Sequence, residues 1–453
     1  MPRARHPASV LGVTLACVTT APPPAGDAPA PMAYHEAVAA RLGSEEAAAW
    51  AALARAAAPD AAALHADLLR TAYRLDPDAH PRVHAAAGRA AKALGVELPV
   101  SAYQAEGGGA ANAAVFQLPG EVVVAFSGPL LDLVGDDELA AVVGHELAHH
   151  VLWSARDGRY LVADRLLDAL ASDASSPPSY PETARRYALA TELYADRGAL
   201  VACGDLHTAV SALVKVATGL REVDAAAYLR QGESADPASG SRGHGHPETV
   251  LRAWALGRWH LRLAEGEAAA ATLLTPALDL DALDVLDRAV LEGVTRGLLE
   301  DVLADSWWRT EAVVAQAREY FADLDPLPRT GAAAPAWGTP GAGEPRVLPD
   351  RATPSTRRYL GYVLLDLVTA DPDLDAEEAV GRALRLAHRV GVGAELTEVA
   401  RAELSLPAAT WRRLEAAVAA AAPRPEPGPA SPPEREPEPE PGPPPGRETG
   451  GPA

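Results

Sequence analysis

A mainly α-helical protein with one small antiparallel β-sheet is what the sequence predicts, and three observations predict it. Most of the chain repeats Ala and Leu with charges three and four residues apart, the period of an amphipathic helix. Only 5% of the residues are aromatic and alanine inflates the 48% hydrophobic content, a composition that suits helices better than strands. Between residues 96 and 126 the pattern changes to short β-type runs (96–100, 113–118 and 122–126) parted by glycine-rich turns.

Taken in order, residues 1–31 hold Arg3, Arg5, an apolar run ending at Cys17 and a Pro22-Pro23-Pro24 turn. They read either as an export leader with a lipid-accepting Cys17 or as an over-extended start, since helical sequence begins directly at Met32. The expectation is a cytoplasmic protein, with export or a lipid anchor as the alternative. Amphipathic helices follow over residues 33–95, broken at Pro59, Pro77 and Pro81. After the β-type region, helices are expected from Asp136 to Ser154 and from Pro181 to Gly204, with a continuation to Tyr228. Residues 231–245 are polar and glycine-rich and read as a loop. The chain is helical again over 266–324, passes through a Pro/Gly/Ala linker at 325–355, and ends in a helical unit at 356–422. Residues 423–453, mostly Pro, Glu and Gly, read as a disordered tail.

Bulk properties exclude several functions. The net charge is −21 with a sequence pI near 5.0, the wrong sign for a nucleic-acid partner. No window of eighteen apolar residues is free of charge, so no integral membrane span is expected. Cys17 and Cys203 are the only cysteines, which rules out a disulfide framework, and Cys203 reads as a small buried helix residue.

Chemistry concentrates in one stretch, Gly144-His145-Glu146-Leu147-Ala148-His149-His150. Residues four apart on a helix share a face, so His145 and His149 can offer two imidazole nitrogens to one zinc ion. Glu146 then lies beside the metal, where a carboxylate can take a proton from zinc-bound water. His150 is turned about 100° from His149 and cannot share its face, so it reads as structural. A third ligand is needed. Leu152 and Ala155 stand where a metzincin carries glycine and histidine, and no Glu occurs between Glu146 and Glu182. The stretch Thr191-Glu192-Leu193-Tyr194-Ala195-Asp196 meets the need: Glu192 can reach the zinc, and Asp196, one turn on, the far nitrogen of a ligand histidine.

At these residues the chain resembles the HtpX-like zinc endopeptidases, the gluzincin family that also holds the CAAX prenyl proteases. The resemblance runs over about residues 76–262 and includes Leu118-Pro119-Gly120-Glu121, Asp137-Glu138-Leu139 and Gly245-His246-Pro247-Glu248 with Arg252 downstream. It implies a gluzincin-type metallopeptidase domain over 32–265, with N-terminal helices at 33–95 and a catalytic core at 96–262, plus a helical C-terminal region. It also implies one zinc ion per chain and a polypeptide substrate. In such enzymes an edge strand beside the metal pairs with an extended peptide, and residues 113–118 are the candidate; an ordinary sheet edge is the other reading. For His246 the family's His-Pro element implies a place near the metal or the developing oxyanion, against a loop histidine beside His244 with no role. Residues 356–422 resemble TerB-like helical domains. There Asp371, Asp373 and Asp375 suggest an EF-hand, but Ala376 and Arg382 stand where glycine and glutamate are required, so a carboxylate-rich helix start is the better reading.

The function expected is zinc-dependent endopeptidase action on unfolded or extended polypeptide, with Glu146 as base. A catalytically silent metallopeptidase fold that recruits partners through its helical C-terminal half is the alternative. Another zinc hydrolase, such as an aminopeptidase, is the third reading, but no recognisable amine-binding acidic motif near the zinc blocks supports it. The C-terminal parts, which carry no candidate ligand, are expected to be dispensable for the chemistry, so that a chain ending near Glu265 would still work.

Overall fold

The computed structural model describes residues 28–55, 61–107, 109–235, 248–261, 263–325 and 348–421. Cys17, His246, most of the expected linker and the expected tail lie outside these residues. The protein is mainly α with one small sheet, as its composition implies.

The N-terminal part holds helices α1 (Ala33–Glu45), α2 (Ala47–Arg55) and α3 (Ala61–Thr71), then the short strand β1 (Ala72–Arg74), where only helix was expected. Helix α4 (Pro81–Leu94) opens with proline at its first turn and closes on Gly95 in the left-handed conformation (φ 67°). It buries Val83, Ala86, Ala87, Ala90 and Leu94, one face of a 3.6-residue period. Strands β2 (Val100–Ala105), β3 (Asn112–Leu118) and β4 (Glu121–Ser127) complete a four-stranded sheet in the order β1-β2-β4-β3.

The β3–β4 hairpin turns on Pro119-Gly120, with Gly120 at the positive φ that such a turn needs. The sheet is mixed rather than wholly antiparallel. Because β3 lies at the edge, its hairpin partner β4 takes the place next to β2 and runs parallel to it, Val100 opposite Val122. Central β4 is accordingly apolar on both faces, with Val122, Val123, Val124 and Phe126 all buried. The strand expected at 96–100 begins only at Val100; Leu98 is exposed and Pro99 has no amide to donate to a ladder.

After α5 (Leu130–Leu133) comes α6 (Asp136–Ser154), which carries the His-Glu-x-x-His motif. Asp136, Asp137 and Glu138 crowd its first turn, and Gly135 N donates to Glu138 Oε2 at 2.7 Å, which satisfies an open helix-start amide and suits the helix dipole. The chain then reverses through Arg156, Asp157 and Gly158, all at positive φ, into α7 (Arg159–Ser172). Left-handed φ costs a non-glycine residue about 1–2 kcal/mol, so this turn is held by its surroundings.

Helix α8 (Ser179–Cys203) packs across α6 at very short range. A Cβ placed on Gly144 would come within 2.3 Å of Ala202 Cβ, and one on Gly198 within 2.3 Å of Ala148 Cβ. Only glycine lets the two backbones approach so closely, and that approach brings Glu192 and Asp196 beside His145. Helices α9 (Leu206–Thr218), α10 (Ala225–Ser234), α11 (Thr249–Leu261) and α12 (Leu263–Leu274) follow. The continuous helix expected to Tyr228 is broken at Gly204 and Gly219, both in the left-handed conformation.

The C-terminal part comprises α13 (Val285–Ala304), α14 (Glu311–Tyr320), α15 (Pro354–Thr369), α16 (Ala376–Arg389), α17 (Gly393–Glu403) and α18 (Ala408–Ala421). Its segments on both sides of the expected linker share one core, Leu298, Val302 and Val313 with Leu364, Val380 and Leu384. The core around the zinc motif does not stop at residue 265; it includes Leu273, Leu274 and Val285. Across that junction Arg186 of α8, fully buried, is bound by Asp287 at 2.6 Å and Asp284 at 3.1 Å. A chain cut near Glu265 would lose these apolar residues and both carboxylates. Asp375 caps α16 by accepting from Glu378 N at 2.8 Å, the helix-start role read from the sequence. No described helix is long and apolar enough to cross a membrane.

Candidate metal centre

His145 and His149 project from one face of α6, and Glu192 meets them from α8. The His145 and His149 Nε2 atoms lie 3.2 Å apart. Glu192 Oε2 is 3.5 Å from His145 Nε2, and its Oε1 is 3.8 Å from His149 Nε2. Among the described residues this is the only group of three or more His, Cys, Asp or Glu side chains whose donor atoms all fall within 4.8 Å of one another. Asp196, one turn beyond Glu192, places Oδ1 3.2 Å from His145 Nδ1. An ionised carboxylate only accepts, so Nδ1 of His145 carries a proton, and Nε2 is the nitrogen that faces the shared centre and is freed to ligate when the ring gives up its second proton.

This donor set fits a divalent cation. Two imidazole nitrogens and a carboxylate oxygen converge there, the two ring nitrogens facing each other at hydrogen-bond distance. Burial lowers His145, but hydrogen bonds and attraction from Asp196 and Glu192 outweigh it and push the imidazole up to about 10. His149 falls to about 4, through burial first and then the His145 charge. His149 Nδ1 has no hydrogen-bond partner among the described residues, and its ring stacks on Trp153 with centroids 5.3 Å apart. His150 points elsewhere, its Nδ1 buried and likewise unpartnered there.

Glu146 is 8% exposed, and burial pushes its carboxyl up to about 7, against the pull of a charged His145. It receives a backbone hydrogen bond from Val115 of edge strand β3, which ties the candidate base to the strand beside it. The site opens into a cleft of about 770 Å³, walled by the β3 end (Ala113, Val115), by α6 and α8, and by α11.

One residue of the site was named in the sequence only as part of the family resemblance, with no role given to it. Arg252 of α11 donates from Nε and Nη2 to Asp196 at 2.8 and 2.6 Å, while its Nη1 lies 2.8 Å from Glu192 Oε2. Despite burial, Arg252 holds Glu192 well below the usual carboxylate range, and Asp196 below it too. Both acids are therefore fixed as anions in ligand and orienting positions. The signal lay in its surroundings: an arginine among Leu251, Ala253, Ala255 and Leu256 on a buried face needs an internal acid. His246, two positions before the cleft residue Glu248, lies outside the described residues, so its expected role meets no geometry here.

A helix pair that converges two histidines and a glutamate, with a second glutamate and an edge strand at the same cleft, defines a site of the metallohydrolase class. Residues 77–172 match the sequence model of peptidase family M48, so a domain of that metallopeptidase family lies there. The match takes in the sheet from β2, α6 and α7 and ends before α8, leaving Glu192, Asp196 and Arg252 beyond it. No curated protein and no solved structure gives a significant match to the chain.

Proposed function

We propose that the protein is a zinc-dependent endopeptidase that cleaves unfolded or extended polypeptides. The observation that carries this reading is the convergence of His145, His149 and Glu192 in a cleft bordered by Glu146 and the outer edge of β3. These three residues would hold the zinc, which when bound supplies a Lewis acid for the substrate carbonyl and makes water acidic enough to surrender a proton. Glu146 would accept that proton and pass it to the leaving amine. Asp196 keeps His145 in the right tautomer, and Arg252 keeps Glu192 and Asp196 ionised. The outer edge of β3 offers backbone groups to a peptide strand, which supports acceptance of many sequences provided the chain is extended. His246 is assigned to the developing oxyanion on the family resemblance alone.

The test is metal content together with cleavage of casein, on wild type and Glu146→Gln. Gln keeps the size and removes the proton acceptor, so the variant should fold and retain zinc while turnover falls by about 10² to 10⁴. Zinc-loaded wild type that cleaves nothing, or a Gln variant equally active, overturns the reading.

A further inference from the structure

Two carboxylates that line the cleft, Asp164 and Glu248, take no part in the proposed chemistry, and Asp164 stands on the wall that begins at the metal centre. Asp164, on α7, lines the same cavity as Trp153, Ala188 and Thr191. It is partly buried, and among the described residues no hydrogen bond or ion pair reaches its carboxylate. The neighbouring acids of α8, Glu192 and Asp196, are by contrast both bound by Arg252. Burial, and then the like charge of Asp168, push Asp164 up to about 6, against its neighbour Arg165. The side chain cannot easily escape this setting. Tyr160, Ala163, Leu166 and Leu167 of the same helix are packed in the core, and the left-handed turn at Arg156-Asp157-Gly158 sets how α7 leaves α6. A carboxylate so placed is under-compensated, and a cation entering the cleft compensates it.

The wall that carries Asp164 begins at the metal centre. Trp153 stacks on His149, and Ala188 precedes Glu192 by one turn of α8, about 6 Å along the axis. An extended peptide advances about 3.3 Å per residue, so a chain held across the centre passes this wall within about two residues of the bond to be cut. Elsewhere the cleft is lined by Ala209, Leu213, Val216 and Leu256, with Glu248 and Arg252 as the charged residues beside them.

Resting on the peptidase reading, we propose that Asp164 is a specificity-determining residue that receives the ammonium or guanidinium of a lysine or arginine next to the scissile bond. The indole of Trp153 flanks the aliphatic stem of that side chain. The substrate class is thus extended polypeptide with a basic residue near the cut, drawn to a chain whose net charge is −21.

The test uses the full-length, zinc-loaded chain and peptides spanning a cleavage site mapped in casein, each made with lysine or Nε-acetyl-lysine at one flanking position at a time. At one position the lysine peptide should have a kcat/KM at least about tenfold above its acetylated twin, and Asp164→Asn should bring that ratio to near one. Asp164→Glu should keep the preference. Thermal unfolding of the same samples shows that the variants are folded. Absence of a lysine or arginine preference at every position, or a preference that survives Asp164→Asn, overturns the proposal. If wild type cleaves no peptide, the endopeptidase reading falls. Anisotropy of the same labelled peptides on zinc-loaded Glu146→Gln, with and without Asp164→Asn, then decides Asp164 on binding alone: loss of a lysine preference supports it, and no such preference overturns it.

Discussion

Helix α8 carries two buried charge clusters, and only one of them has the makings of a reaction site. In its second half, Glu192 and Asp196 meet Arg252 from α11. In its first half, Arg186 is bound by Glu182 at 2.6 Å and by Asp284 and Asp287 from the C-terminal part. Asp284 also accepts from Tyr34 at 2.7 Å, and Arg351 reaches Asp287 at 2.6 Å. Both clusters hold an arginine away from water among carboxylates. They differ in what remains open. Around Arg186 the carboxylates of Asp284 and Asp287 are taken up by arginines and a tyrosine, and the cluster joins α8 to the C-terminal part. Around Arg252 the acids still face two imidazole nitrogens and a cleft. A buried ion pair therefore points to function only where donor atoms and space are left over.

Substitutions at the two clusters should separate these roles. Glu192→Ala is predicted to have the largest effect: zinc affinity should fall by more than the roughly 10- to 100-fold that an outer hydrogen-bonding partner contributes, with turnover lost alongside. Metal analysis after dialysis checks it, and full zinc retention would remove Glu192 from the ligand set. At the other cluster, Asp287→Ala leaves Arg186 buried with less compensation and should cost about 3 kcal/mol of stability, read by urea unfolding, while zinc affinity in the folded fraction stays put. A chain ending after Glu265 should fail to fold for the same reason. If that truncated chain folds and binds zinc, the joint is not needed and the two parts are independent after all.

A smaller effect is expected at Asp196→Ala. Arg252 keeps Glu192 as a partner there, so the protein should stay folded and bind zinc about 10- to 100-fold more weakly. Equal affinity within error would make Asp196 a bystander.

The smallest effect concerns His35 of α1, buried among Tyr160, Tyr187 and Tyr194, with Nε2 3.3 Å from Thr191 Oγ1 and Nδ1 accepting from Met32 N. Burial, helped by Arg197, lowers this imidazole to about 3 from its ordinary 6.5. Between those values the unfolded chain binds a proton that the native chain refuses. Stability contributed by neutral His35 is thus complete well above pH 6.5 and is lost as pH falls, by about 1 kcal/mol at pH 5.5. Denaturant midpoints of wild type and His35→Gln across that range measure it; identical pH slopes would show that His35 does not titrate on unfolding.

Much of the candidate site could be read before any fold was known, because its chemistry is local. The pairs His145/His149 and Glu192/Asp196 each sit four residues apart on one helix, and helical geometry alone puts each pair on one face. The predominance of helix was legible for a similar reason: spacing and composition act within a few turns. Joining the two pairs was another matter. That they meet depends on Gly144 and Gly198 allowing two helices to nearly touch, a fact about two distant segments that neither segment contains.

What the sequence by itself determined is the set of local choices: which stretches are helices, which residues can bind metal, where a hairpin turns. Tertiary structure alone decided the rest. It made the sheet mixed by placing β3 at the edge, it brought Arg252 from α11 onto both acids, and it extended the hydrophobic core around the candidate site past residue 265 to Val285. It also left Asp164 in the cleft without a partner among the described residues. The physical reason is common to all four. Whether a charge is paired, or an edge covered, depends on burial and on neighbours far away in the chain, and spacing along the chain carries no record of either.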